Sequence, residues 1–239
     1  QTSAPMPKIT PKTPAFEANG VDCATITTIP IANATNSGTI AVSVTAVAGA
    51  SGAAAANAVG AAAFGQSGHD AGVANPTLTN NGAVSLAPVA SASGAGSAGA
   101  NASALTAIAQ YVSEVGTASV SLSNAGTAVA FASAVAVAAG TDVNPATDAT
   151  TLTGAAGAHA YAAGVGQFAT EAGSLALTLV NDGAVFVTAN ATASAPTSAS
   201  AYASGTGLYQ TVRSTGPSTL ALENTGQVSV FAHALATVT

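Results

Sequence analysis

An all-β parallel solenoid is the fold this sequence predicts, and three observations predict it. Asn-x-Gly recurs five times, at Asn36, Asn80, Asn124, Asn181 and Asn224, in steps of 44, 44, 57 and 43 residues. Gln66, Gln110, Gln167 and Gln210 keep the same time, with steps of 44, 57 and 43. Two markers with one rhythm, including the long third step, mean a tandem repeat with one insertion. The third observation is alternation. After each Asn-x-Gly the apolar residues fall on every second position, as in Val185, Val187, Ala189, Ala191, Ala193 and Ala195, which is the period of a strand.

The elements follow in chain order. Residues 1–20 hold Pro5, Pro7, Pro11 and Pro14 with Lys8 and Lys12. No alternation runs through them, so they read as an extended, polyproline-like arm. Residues 21–239 form a single solenoid domain. Val21, Ile26, Ile29 and Ile31 lead as β-structure into the first copy, where Ile40, Val42, Val44, Ala46, Ala48 and Ala50 alternate. Alanine is the best helix former, so the strand assignment needs an argument. The intervening positions carry Thr, Ser, Val and Phe, which suit strands, and no i,i+4 charge pairs support a solvated helix. A Gly/Ser turn comes next, as in Ser93–Gly99, then a second Ala-rich strand running to the glutamine. Another turn closes the unit near Gly72, Gly116, Gly173 or Gly216. Each repeat thus reads as two strands and two turns, with a three-sided coil left open because each long strand could bend midway. The insertion falls near residues 140–154, in the first turn, where solenoids tolerate extra loops.

Stacked in register, coils of about 44 residues rise about 4.8 Å each. The asparagines then form one column and the glutamines another, with amides bonding from coil to coil. The Gly of each Asn-x-Gly is expected to supply a bend that an L-residue resists. Alanine on the inward column predicts a thin core, with facing sheets closer than the usual 10 Å or so. The fifth copy stops part-way through its unit at Thr239, which points to completion by another molecule or to truncation of a longer array.

Leu122-Ser-Asn124-Ala-Gly126, Leu179-Val-Asn181-Asp-Gly183-Ala-Val185, Leu222-Glu-Asn224-Thr-Gly226-Gln-Val228 and Leu78-Thr-Asn80-Asn-Gly82-Ala-Val84 share a Leu-x-Asn-x-Gly-x-Ile/Val pattern. In this the chain resembles secreted bacterial parallel β-solenoid repeat proteins, particularly autotransporter-like passengers. The first copy departs from the pattern, with Ala34 in place of Leu. The resemblance covers all but the arm. It implies a parallel β-helix and a role at the cell surface, as adhesin or fibre.

Composition removes several classes. The apolar fraction is 49% and the charged fraction 5%, unlike a solvated disordered chain. Gly, Ser, Thr and Asn break every apolar run before membrane-spanning length. Only Lys8, Lys12 and Arg213 are basic against nine carboxylates, so nucleic-acid binding lacks its main electrostatic term. Cys23 is the single cysteine; it reads as a buried small residue or an intermolecular link. A start at Gln1 suggests a secreted, processed form.

The candidate sites are few. Gly94, Gly96 and Gly99 match Gly-x-Gly-x-x-Gly within a low-complexity turn, with no helix after it to hold a dinucleotide. His69, His159 and His233 share no repeat position, and nothing clusters with them as metal ligands would. No cofactor and no catalytic group is expected, so the chain reads as non-enzymatic. Asp70, Glu114 and Glu171 each precede the next Asn by ten residues, with Ser214 fourth in that column. They would repel one another unless splayed into solvent or bridged by a cation. In the insertion, Asp142, Asn144 and Asp148 are weak calcium candidates; a solvated loop is the plainer reading. Asn33, Asn101 and Asn190 sit in Asn-x-Ser/Thr sequons. On the outward face, Val129, Phe131, Val135 and Val137 form an apolar stripe with Phe186 and Phe231 nearby.

The expectation is therefore an extracellular structural protein that self-assembles head to tail into a fibre or surface layer. Its joints would use the open solenoid ends around Val228 and Val230, the arm, and the stripe of Phe131, Phe186 and Phe231. The alternative is an adhesin or passenger fragment whose broad face binds a surface or glycan. Ice binding ranks last, because the threonines form no regular Thr-x-Thr array.

Overall fold

The computed structural model of the protein describes residues 28–30, 33–69, 72–144, 149–152 and 154–239. Residues 1–20, Cys23, Asp70 and Asp148 lie outside the described residues. The described chain is all-β, with parallel strands in stacked sheets, an arrangement consistent with a β-solenoid.

Three parallel sheets make the body. The first stacks long strands: Thr28–Pro30, Ala53–His69, Ser97–Ser113, Ala155–Ala172 and Ser198–Ser214. The second stacks twelve-residue strands: Thr39–Ala50, Ala83–Gly94, Thr127–Ala138, Ala184–Ala195 and Gln227–Val238. The third stacks the short strands that run into each asparagine: Ala34–Asn36, Thr77–Asn80, Thr117–Asn124, Ser174–Asn181 and Ser218–Asn224. Each repeat therefore contributes three strands rather than two. The additional one lies between the Gly turn and Asn-x-Gly, where the inward Ala118, Val120 and Leu122 alternate with the outward Ser119, Ser121 and Ser123.

Burial follows the alternation. Ala128, Ala130, Ala132, Ala134 and Ala136 are fully buried along one twelve-residue strand, and Ala156, Ala158, Ala160 and Ala162 are buried along the long strand of the same repeat. A residue with one methyl group occupies little depth. Hence Cα atoms of the long-strand sheet come within 8 Å of those across from them, closer than sheets carrying larger side chains. Beside the short strands the core holds larger residues: Val112, Val115, Val120, Leu175 and Leu177.

Where the twelve-residue strands begin, large residues meet glycine. A Cβ on Gly60 would lie 2.6 Å from Leu86 Cδ1, and one on Gly207 the same distance from Val228 Cγ1. Past this point the long strand bends. In Ala155–Ala172 the buried inward run ends at Ala162 and resumes at Val165, Gln167 and Ala169, three residues on instead of two. Ser97–Ser113 spends one more residue here, so pairing shifts between Ala162 and Val165. The step from Gln110 to Gln167 is thus lengthened by the inserted residues less this one.

Those inserted residues form an antiparallel pair, Thr141–Asn144 with Ala149–Leu152. On either side of it, the Gly140 N–H donates to Ala95 O at 2.6 Å and the Ala155 N–H to Gly96 O at 3.3 Å. The parent turn is therefore intact beneath the insertion.

The glycine of Asn-x-Gly has a different cause from the expected bend. Among the described glycines only Gly140 has a positive φ, at 66°. What Gly126 needs is room: a Cβ there would sit 2.0 Å from Gly82 O in the repeat before. Left-handed backbone falls instead on Glu114 and Glu171, with φ of 55° and 56°. These are the exposed corner residues of the acidic column, at the end of the long strands.

Candidate functional site: amide ladders and the open edge

Each asparagine closes a short strand at the point where the chain bends into a twelve-residue strand. The bend turns the side chain into the core, and Asn80, Asn124 and Asn181 are fully buried. Burying an amide is tolerable only if its hydrogen-bonding groups find partners. Stacking supplies them. Asn36 Nδ2 donates to Asn80 Oδ1 at 2.8 Å, Asn80 to Asn124 and Asn124 to Asn181 at 2.7 Å each, and Asn181 to Asn224 at 2.6 Å. Asn80, Asn181 and Asn224 also turn Nδ2 toward their own loop, as Asn80 does to Gly82 O at 3.3 Å.

The glutamines do the same from the opposite wall, where Gln66, Gln110 and Gln167 are buried. Here the direction is reversed. Gln110 Nε2 donates back to Gln66 Oε1 at 2.7 Å, Gln167 back to Gln110 and Gln210 back to Gln167 at 2.8 Å each. The second hydrogen crosses the core to a carbonyl of a short strand: Ser121 O at 3.1 Å, Thr178 O at 2.9 Å and Ala221 O at 3.0 Å. A carbonyl only accepts, so these contacts fix which end of each glutamine is nitrogen. No buried side-chain polar atom among the described residues lacks a partner.

The backbone at Asn-x-Gly repeats the pattern. The main-chain carbonyls of Asn36, Asn80, Asn124 and Asn181 each take two N–H groups from the next repeat. Asn36 O receives Asn81 and Gly82 at 2.8 and 3.1 Å, and Asn181 O receives Thr225 and Gly226 at 3.0 and 2.9 Å.

Among the described residues the last strands of the stack are Ser198–Ser214, Ser218–Asn224 and Gln227–Val238, and no described residue covers the face they present. Val185 and Val187 are 0% and 1% exposed, while their partners one repeat on, Val228 and Val230, are 38% and 47% exposed. Leu220 and Leu222 stand in the same relation to the buried Leu177 and Leu179.

The outward stripe lies on the twelve-residue sheet. Val129 pairs with Phe186, and Phe131 with Thr188, which pairs in turn with Phe231. Phe186 and Phe231 are exposed, and Phe231 stacks on His233 with ring centroids 6.2 Å apart. Val135 continues the stripe half-buried and Val137 exposed.

One grouping has no marker in the repeat. All four tyrosines, Tyr111, Tyr161, Tyr202 and Tyr209, stand on the outer face of the long-strand sheet, with Phe168 among them. They occupy different repeat positions: register sets Tyr111 beside Phe168 and Tyr209 beside Gly166, while Tyr202 stands farther along the sheet beside His159. The Tyr209 ring lies over Gly166, whose absent side chain makes the space. Its edge meets Phe168 at 5.0 Å between centroids, and its hydroxyl bonds to Thr106. Burial pushes the Tyr209 phenol up to about 12, the Thr106 hydrogen bond opposes the rise, and Tyr161 adds to it. Beside this cluster a shallow groove of about 510 Å³ is lined by Gly65, Ala109, Leu105, Tyr111 and Phe168 among others.

The remaining candidates scatter. His69 Nδ1 lies 2.6 Å from Ser113 Oγ, and His159 packs near Tyr202, so the three histidines do not converge. No group of three or more His, Cys, Asp or Glu side chains that could hold a metal occurs among the described residues. Asp142 and Asn144 fall on the first strand of the inserted pair. Asn33 and Asn101 are exposed and Asn190 is half-buried; Asn101 donates to Asn57 Oδ1 at 3.0 Å. Comparison with protein-family models, with curated proteins and with solved structures finds no match.

Proposed function

We propose that the chain is a non-enzymatic, extracellular structural subunit, a β-solenoid of about 44-residue coils with a thin Ala-rich core, that stacks end to end into a fibre or surface layer. One observation carries this reading. Leu220, Leu222, Val228 and Val230 are core residues by register yet lie exposed on the last face. An apolar face bordered by unpaired strand edges favours the addition of further strands. The occupant that fits is another coil of the same repeat, supplied by a second copy. The Pro-rich residues 1–20 would extend the contact by adding to a neighbour's edge. Resemblance to secreted repeat proteins supports the extracellular assignment. Electron microscopy and sedimentation of the purified chain test it. Linear particles are expected; a monomer at every concentration removes the proposal.

A second reading, an adhesin for glycans, is favoured by the tyrosine-rich outer face of the long-strand sheet, because aromatic faces offer flat apolar platforms with polar rims. Binding to a panel of soluble oligosaccharides, lost on Tyr111→Ala and Tyr202→Ala, is its test.

A further inference from the structure

Head-to-tail order is an expectation of the repeat alone, and the asparagine column supplies a physical reason for it and names the bond at the joint. We propose that copies join only head to tail, Asn224 of one copy donating to Asn36 of the next. The inference rests on the stacking reading above.

The column is polar. Every rung passes a hydrogen from Nδ2 to the Oδ1 of the following rung. Its last member, Asn224, therefore presents a donor: it accepts from Asn181 and spends one hydrogen on Gly226 O at 3.3 Å. Its first described member, Asn36, presents an acceptor. A second copy stacked tail to tail would set donor against donor, which cannot bond. Stacked head to tail, it continues the column without a break.

The backbone of the first rung carries the same message. Inside the stack the glycine N–H of Asn-x-Gly goes to the preceding rung's main-chain carbonyl, as Gly126 does to Asn80 O at 2.9 Å. Gly38 instead turns to its own Asn36 Oδ1, at 3.1 Å. It fills an acceptor that in every later rung belongs to the previous asparagine. Docking a copy's Asn224 against this end exchanges that local bond for internal ones. Gly38 N–H moves to Asn224 O, and Asn224 Nδ2 takes Asn36 Oδ1. The first rung is thus a self-capped form of the others, and a joint converts it into an internal rung. The glutamine column stops short of this role, because Ile29 holds the register position ahead of Gln66.

Cysteine pairs test the polarity. Residues following the asparagine meet across one rung, as the Thr225 hydroxyl does with Asp182 Oδ1 at 2.5 Å. In the first rung that position is Ser37, so a head-to-tail joint sets it beside Thr225 of the neighbouring copy. Neighbouring parallel strands lie about 4.8 Å apart, within disulfide reach. In a Cys23→Ser background, Ser37→Cys with Thr225→Cys is expected to give covalent multimers on mild oxidation, while either single substitution stays uncrosslinked. Dimers from Thr225→Cys alone, with no multimers from the pair, overturn the polarity and leave stacking intact. A chain that sediments as monomer with no crosslink in any variant overturns both. Asn224→Ala, at the exposed end, removes the donor and, of the other rungs, disturbs only Asn181, whose Nδ2 bonds to it. It is expected to raise the concentration needed for assembly about tenfold; no change overturns the role of this amide.

Discussion

Asn124 Nδ2 donates to Asn181 Oδ1 at 2.7 Å across 57 residues of chain, with both side chains fully buried. The bond is as short as that from Asn80 to Asn124, which spans 44. The ladder is therefore indifferent to the insertion, because the additional residues leave and rejoin the stack at one turn.

That continuity makes the cost of losing a rung depend on its place. Asn124→Ala would leave one Asn80 Nδ2 hydrogen and the Asn181 Oδ1 buried without their ladder partners, at about 1–3 kcal/mol each. Asn224→Ala strands only Asn181 Nδ2, next to the open face, and is expected to cost about 1 kcal/mol. Urea unfolding of the two variants should separate them clearly; equal midpoints would deny the ladder its part in stability.

The insertion should be removable. Deleting residues 141–154 joins Gly140 to Ala155, as Gly96 joins Ser97 one repeat earlier, and both flanking hydrogen bonds already belong to the parent turn. The expected stability change is within about 1 kcal/mol, since loop-length entropy varies slowly. A deletion variant that fails to fold would mean that the inserted pair braces the stack.

Glycine positions along the long strands should differ in tolerance. At Gly60 a Cβ meets only the tip of Leu86, which can turn aside. At Gly164 it meets Val185 Cγ1 at 2.5 Å and the Gly207 carbonyl oxygen at 2.6 Å, and the backbone cannot yield. Gly164→Ala is expected to destabilise by about 1–3 kcal/mol. A second change, Leu86→Ala, should relieve Gly60→Ala, whereas Val185→Ala should not rescue Gly164→Ala. Thermal unfolding of the single and paired variants decides it.

How much of this was legible depends on the residue. The asparagine and glutamine columns could be read directly, because a buried amide has few substitutes and so one residue type recurs at one position. The short strands were hidden: Thr117–Asn124 alternates for only eight residues and reads as a lead-in to the asparagine. The bend at Ala162 to Val165 was hidden too, since a three-residue inward step breaks the period that reveals strands. The tyrosine face left no signal at all. Tyr111, Tyr161, Tyr202 and Tyr209 share no repeat position, and contacts such as that of Tyr209 with Phe168 arise only through register.

Left-handed backbone at Glu171 was equally unreadable, since glycine or asparagine is the usual occupant of such a corner. Its φ of 56° strains the main chain, and its side chain is exposed. Glu171→Asn should therefore stabilise the protein by about 0.5–1 kcal/mol. A lower melting temperature would show that the carboxylate contributes something the backbone strain conceals.

Tyr209 supplies a readout of the outer face in alkali. Its phenol is pushed up to about 12 by burial, against an ordinary value of 10.0. The folded protein thus holds the proton more tightly than the unfolded chain. That contribution to stability is fully present below pH 10 and is lost as pH rises toward 12. Absorbance of phenolate should accordingly show one tyrosine ionising about two units late. The Thr106 hydroxyl, bonded to the phenol oxygen, favours the ionised form and lowers the value. Thr106→Val should consequently push Tyr209 higher still, while Gly166→Ala, which displaces the ring from the sheet, should return it toward 10 by restoring water. If Thr106→Val lowers the value instead, the hydroxyl is accepting from the phenol, and the sense of the bond is reversed.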